Sequence, residues 1–136
     1  MSTASDSIKL DKIGQIAVSV HDLKRAVVFY RDVLGMQFLF QAPPGLAFFN
    51  CGGIRLLLEV VPPDAEKKSS IIYYQVDDIQ AAYATLANRG VSFEAAPELV
   101  AKMPDHTLWM AFFRDPDDNL LALMCELYGP SPATST

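Results

Sequence analysis

The stretch Val18-Ser19-Val20-His21-Asp22-Leu23-Lys24-Arg25-Ala26-Val27-Val28-Phe29-Tyr30-Arg31-Asp32-Val33-Leu34-Gly35 reads as the end of a strand followed by a helix. Ile13 to Val20 is a β-type run, after which Leu23, Ala26, Val27, Tyr30 and Leu34 mark one helical face. Asp22 is the expected N-cap and Gly35 the stop. Further along, Ile71 to Val76 repeats the run and Asp78 repeats the cap. Ile79, Ala82, Tyr83 and Leu86 repeat the stripe, and Gly90 repeats the stop. The differences 76−20, 78−22, 79−23 and 82−26 all equal 56, so one unit occurs twice.

The two copies stay parallel beyond their helices, with Gly35-Met36-Gln37-Phe38 matching Gly90-Val91-Ser92-Phe93. Three β-like segments follow in each. In the first copy they are Phe38 to Ala42, Leu46 to Cys51 and Ile54 to Val61, turned by Pro43-Pro44-Gly45 and Gly52-Gly53. In the second they are Val91 to Ala95, Leu108 to Arg114 and Asn119 to Tyr128, the last turn being Asp115-Pro116-Asp117-Asp118. Pro62 to Ser70 reads as a linker, and Glu98 to Thr107 as a loop. The expected fold is α+β: two βαβββ modules, at 10–61 and 70–128, whose curved mixed sheets enclose a small-molecule groove. They form a single domain over 8–128, with flexible tails at 1–7 and 129–136.

The whole chain has 136 residues, 51% of them hydrophobic, enough for a core that needs no disulfide or metal. Its net charge of −5 opposes binding to a nucleic-acid backbone or an anionic bilayer. No apolar run approaches the roughly 20 residues of a membrane span, and the start lacks the basic and apolar regions of a secretion signal, so a cytoplasmic location is expected. Cys51 and Cys125 do not make a disulfide framework or a zinc pair.

Alternation along each strand sorts the side chains into two faces. Ile16, Val18 and Val20 face the helix, as do Ile54, Leu56, Leu58 and Val60, whereas Gln15, Ala17, Ser19, Arg55, Leu57 and Glu59 face away. In the second copy Ile71, Tyr73, Gln75, Leu120, Ala122 and Met124 face away. These second faces are too apolar for free exposure and are expected to line a concavity.

With these residues in view, the chain resembles the vicinal oxygen chelate superfamily, which includes glyoxalase I, bleomycin-resistance proteins and extradiol dioxygenases. The resemblance is carried by Val20-His21-Asp22-Leu23, Phe29-Tyr30-Arg31-Asp32-Val33-Leu34-Gly35, Val76-Asp77-Asp78-Ile79 and Phe113-Arg114-Asp115-Pro116-Asp117-Asp118-Asn119. Asp118 stands where relatives usually carry Gly, which implies a left-handed non-glycine residue. Enzymes of the superfamily hold a divalent metal with one residue from the first and fourth strand of each module. The resemblance carries those positions to Gln15, Glu59, Ile71 and Ala122. Catalytic metal sites take about three protein ligands, and Ile71 and Ala122 offer none, so no tightly bound cofactor is expected, only a weakly bound divalent metal as the alternative.

Two functions compete. In the first, the chain binds a small, partly apolar molecule in a groove lined by Gln15, Phe48, Leu57, Ile71, Tyr73, His106, Trp109, Ala122 and Met124. In the second, it is an isomerase, epimerase or lyase with Glu59 as general base, metal-free or weakly metallated through Gln15 and Glu59. Glu59 has the plainer reading of pairing with Arg55, Gln15 or solvent at a strand end, and His106 that of an exposed loop residue. The Asp115/Asp117/Asp118 group is explained by turn chemistry, without calcium. A homodimer is expected by analogy with the superfamily.

Overall fold

The computed structural model describes residues 8–9, 11–66 and 70–129. The tails read at 1–7 and at 129–136 lie outside the described residues, Gly129 excepted. The first module runs β1 (Gln15–Val20), α1 (Leu23–Val28, continued by a π turn over Phe29–Val33), β2 (Gln37–Ala42), β3 (Leu46–Cys51) and β4 (Ile54–Val60). The second runs β5 (Ile72–Gln75), α2 (Ile79–Asn88), β6 (Ser92–Phe93), β7 (Glu98–Lys102), β8 (His106–Arg114) and β9 (Leu120–Tyr128). Each helix starts as the sequence indicates: the Asp22 carboxylate accepts from the Arg25 N–H at 3.1 Å and that of Asp78 from the Ala81 N–H at 3.0 Å. Gly35 and Gly90 follow the helices at φ of 74° and 92°, a left-handed conformation that glycine adopts without steric cost.

The first sheet has the order β1-β4-β3-β2 and the second β5-β9-β8-β6, with β7 on the free side of β8. In each, the first strand of the module lies parallel to its last, β1 with β4 and β5 with β9. The fold is therefore the paired βαβββ arrangement read from the repeat. Two details differ. The segment read as the loop Glu98 to Thr107 contains β7, and its last two residues belong to β8, because Leu99, Ala101 and Lys102 pair with β8 despite the prolines on either side. The segment Val91 to Ala95 keeps only two strand residues.

The helix-facing sides of both sheets drain into one core. Val18, Val20, Tyr30, Phe49 and Leu58 from the first module join Ile79, Phe113, Leu121, Leu123 and Cys125 from the second. The turn between β8 and β9 clasps the first module. Asp115 accepts from the Tyr30 hydroxyl at 2.9 Å and from the Asp117 and Asn119 N–H groups. Asn119 Nδ2 donates to the Ser19 carbonyl, while Asp117 accepts from the His21 N–H at 2.8 Å and from the Arg25 guanidinium at 3.0 Å. Asp115 and Asp117 of this turn are thus inter-module fasteners. Asp118 has φ 67°, so the left-handed non-glycine residue implied by the resemblance is present.

Candidate functional site

Residues paired across neighbouring strands point to the same side of a sheet, so the registers define rungs on the face turned away from the helices. On the first sheet one rung is Gln15, Arg55, Asn50 and Gln37, the next Ala17, Leu57, Phe48 and Phe40, and the third Ser19, Glu59, Leu46 and Ala42. A bulge at Leu39 makes this possible. Phe38 pairs with Phe49 toward the core, and the extra residue swings Phe40 to the open side beside Phe48. The Phe40 and Phe48 rings stack with centroids 4.7 Å apart, and the Arg55 guanidinium carbon lies 5.8 Å from the Phe48 centroid.

On the second sheet the first rung is Leu120 and Arg114, followed by Tyr73, Ala122 and Phe112, then Gln75, Met124 and Met110, then Glu126 and Leu108. Tyr73 and Phe112 stand on strands either side of β9, roughly 9 to 10 Å apart. Their ring centroids are only 6.0 Å apart, edge to face. The rings therefore lean together over Ala122, which has no exposed surface. Ile71, just before β5, is 39% exposed. Within one chain both faces stay open.

The sequence profile of the Glyoxalase/Bleomycin resistance protein/Dioxygenase superfamily matches residues 12–123. The chain belongs to this superfamily. The Bacillus subtilis (strain 168) protein YraH is 30% identical over 131 residues, spanning 82% of this chain and 96% of YraH. Among solved structures, a glyoxalase/bleomycin resistance protein/dioxygenase from Nocardioides superposes with TM-score 0.70 at 25% identity, covering 96% of this chain and 93% of that one. A lactoylglutathione lyase from Agrobacterium tumefaciens shares the fold with TM-score 0.69 at 21% identity, covering 85% of this chain and 94% of its own.

For a member of this superfamily, the divalent-metal positions are the first test of the site. In the second module Tyr73 pairs with Ala122, and in the first Ala17 pairs with Leu57; since 73−17 is the repeat offset of 56, Leu57 is the counterpart of Ala122. The carry-over to Glu59 is corrected: Glu59 lies one rung further, opposite Ser19, with the apolar rung of Ala17 and Leu57 between it and Gln15. Gln15 and Glu59 are four register steps apart, roughly 13 Å along the strands, so neither the expected hydrogen bond between them nor a shared metal is formed by this register. The positions are then Gln15, Leu57, Ile71 and Ala122, one weak donor and three hydrocarbons, and this donor set does not fit a divalent cation. Among the described residues no group of three or more His, Cys, Asp or Glu side chains is placed so that it could hold a metal ion.

The other named residues divide. Phe48, Leu57, Tyr73, Ala122 and Met124 share the open faces with Gln15. Trp109 does not: it pairs with Cys125, points to the helix side and packs on the core, because it is of odd parity relative to Phe112. The pairing of Glu59 with Arg55 is also absent; Glu59 is exposed and Arg55 lies over Phe48. His106 opens β8, and no loop carries it; it stands six residues before Phe112, roughly 20 Å from the Ala122 rung. There its ring contacts Asp105 at 2.8 Å and Glu126 at 3.7 Å and stacks on Tyr128 with centroids 4.5 Å apart. The hydrogen bond to His106 holds the exposed Asp105 carboxyl below its ordinary value. Burial pushes the Cys51 thiol up. Sequence reasoning gave no site role to Arg55, Asn50 or Leu39; the signal for Arg55 was its placement with Leu57 and Glu59 on the face turned from the helix.

Proposed function

We propose that this superfamily member binds a small, partly apolar molecule against its open sheet faces, without a tightly bound metal. The observation that carries the reading is the pair Tyr73 and Phe112 closed over Ala122, which places hydrocarbon where a ligand carboxylate would have to stand. Aromatic and apolar walls with few polar groups are what small-molecule sites use. A second copy of the chain closes the groove, in a two-fold homodimer that lays the first sheet of one protomer over the second sheet of its partner.

The test is titration of the full chain with the neutral probe 2-naphthamide, followed on methyl-labelled methionines. Met110 and Met124, on the groove face, shift on binding, whereas Met36, on the helix side, does not. Stoichiometric divalent metal in the purified protein, or shifts at Met36 alone, defeats the proposal.

Glu59 supports a second reading, because its carboxylate is exposed on the same face as Phe48 and Leu57. In that reading it abstracts a proton next to a carbonyl as a general base. Glu59→Gln then abolishes turnover of a carbonyl substrate while leaving 2-naphthamide binding intact; unchanged turnover removes the reading.

A further inference from the structure

We infer that the groove is built for a flat anion, an aromatic carboxylate whose rings lie on Phe48 and Phe40 and whose carboxylate meets Arg55. This deepens the proposed groove and rests on it. The argument starts from charge. The chain carries a net −5, yet Arg55, central in the polar rung of the first open face, makes no ion pair among the described residues. Its one recorded side-chain contact is with the Phe48 ring. Around it lies a hollow of about 340 Å³ bounded by Gly14, Leu39, Asn50 and Gly53. A Cβ on either glycine would meet nothing within 4 Å, so the glycine walls of this hollow are uncrowded.

The neighbours of Arg55 are hydrogen-bonding groups of the right kind. Gln15 flanks it on β1 and Asn50 on β3, the latter held by donating to Gln37 at 3.0 Å and accepting from the Gly53 N–H at 3.1 Å. One rung away, roughly 7 Å along the strands, begins the stacked Phe48 and Phe40 surface. That spacing suits a fused-ring acid: its rings rest on the upper edges of the stacked pair Phe40 and Phe48, and its carboxylate meets the planar fork of the guanidinium beside Phe48, which matches it in geometry as a lysine would not. On the far side of the aromatic rung stands Glu59, whose charge repels an anion and so sets the direction in which the molecule lies.

The experiment compares 2-naphthoate with 2-naphthamide, equal in shape and different in charge, on the full-length protein. Wild type binds the acid more tightly than the amide despite the net negative charge. Arg55→Gln removes that preference, weakening the acid by about tenfold or more relative to the amide, the size of a charge-assisted contact. Phe48→Leu weakens both. Lys24→Gln, which removes the same charge from exposed α1, changes neither. If wild type shows no preference for the acid, or Arg55→Gln keeps that preference, the inference fails while amide shifts at Met110 and Met124 leave the groove standing. If neither compound moves those methyls, both fail.

Discussion

Ala122 and Ile71 both stand at floor positions of the second module, and each can be interrogated alone. Ala122 is fully buried between Tyr73 and Phe112, so Ala122→Glu forces a carboxylate under two rings and costs roughly 3 kcal/mol in urea denaturation. Ile71→Glu, at a 39% exposed position, stays within about 0.5 kcal/mol of wild type. Equal costs would show that Ala122 is not covered as described. Tyr30 offers a second test, because burial, reinforced by Asp115, raises its hydroxyl far above the ordinary 10.0; burial raises Tyr74 likewise. Above pH 10 unfolded tyrosines lose protons that these two keep. Their contribution to stability is complete below that pH and declines above it, by about 1.4 kcal/mol per pH unit per tyrosine. Tyr30→Phe removes one share of that alkaline slope, and a slope equal to wild type would refute the assignment. Which residue occupies the fourth-strand position was legible too, though only by counting from the turns. Gly53 and Asp118 are the last left-handed residues of their turns, and four residues beyond them stand Leu57 and Ala122. Counting from charge, which picks out Glu59, misplaces the position by one rung.

At the scale of elements, the strands and helices with a clear apolar period were readable, and those defined by partners were not. Asp22 and Asp78 announce both helices because a cap acts through local geometry alone. β7 has no such local mark: Glu98 and Lys102 flank three apolar residues, and only the ladder with β8 makes them a strand. The β8–β9 turn was equally opaque, since its aspartates satisfy turn chemistry on paper while their partners lie about 90 residues away in the first module. That clasp is testable. The Asp117 side chain is fully buried, and one of its oxygens accepts both the His21 N–H and the Arg25 guanidinium. Asp117→Ala costs roughly 2 kcal/mol and accelerates hydrogen exchange specifically at the His21 amide. Unchanged exchange there would mean that the turn does not fasten the modules together.

The whole molecule leaves two open sheet faces with large apolar side chains in view, Phe40 at 47%, Tyr73 at 43% and Ile71 at 39% exposure. Exposed apolar area gathered on a face gains from being covered, and two unlike faces on one chain can cover each other across a two-fold axis without leaving an edge to propagate. A dimer so formed encloses two equal grooves, each with the Arg55 rung from one protomer and the Tyr73 rung from the other. Sedimentation of the full chain therefore yields a dimer at micromolar concentration. Tyr73→Arg, which puts a cation in the middle of the covered face, shifts it toward monomer and weakens 2-naphthamide binding together with assembly. A monomeric wild type that still shows the Met110 and Met124 shifts would leave the groove in place and remove the second copy from its walls, making each open face a binding surface by itself.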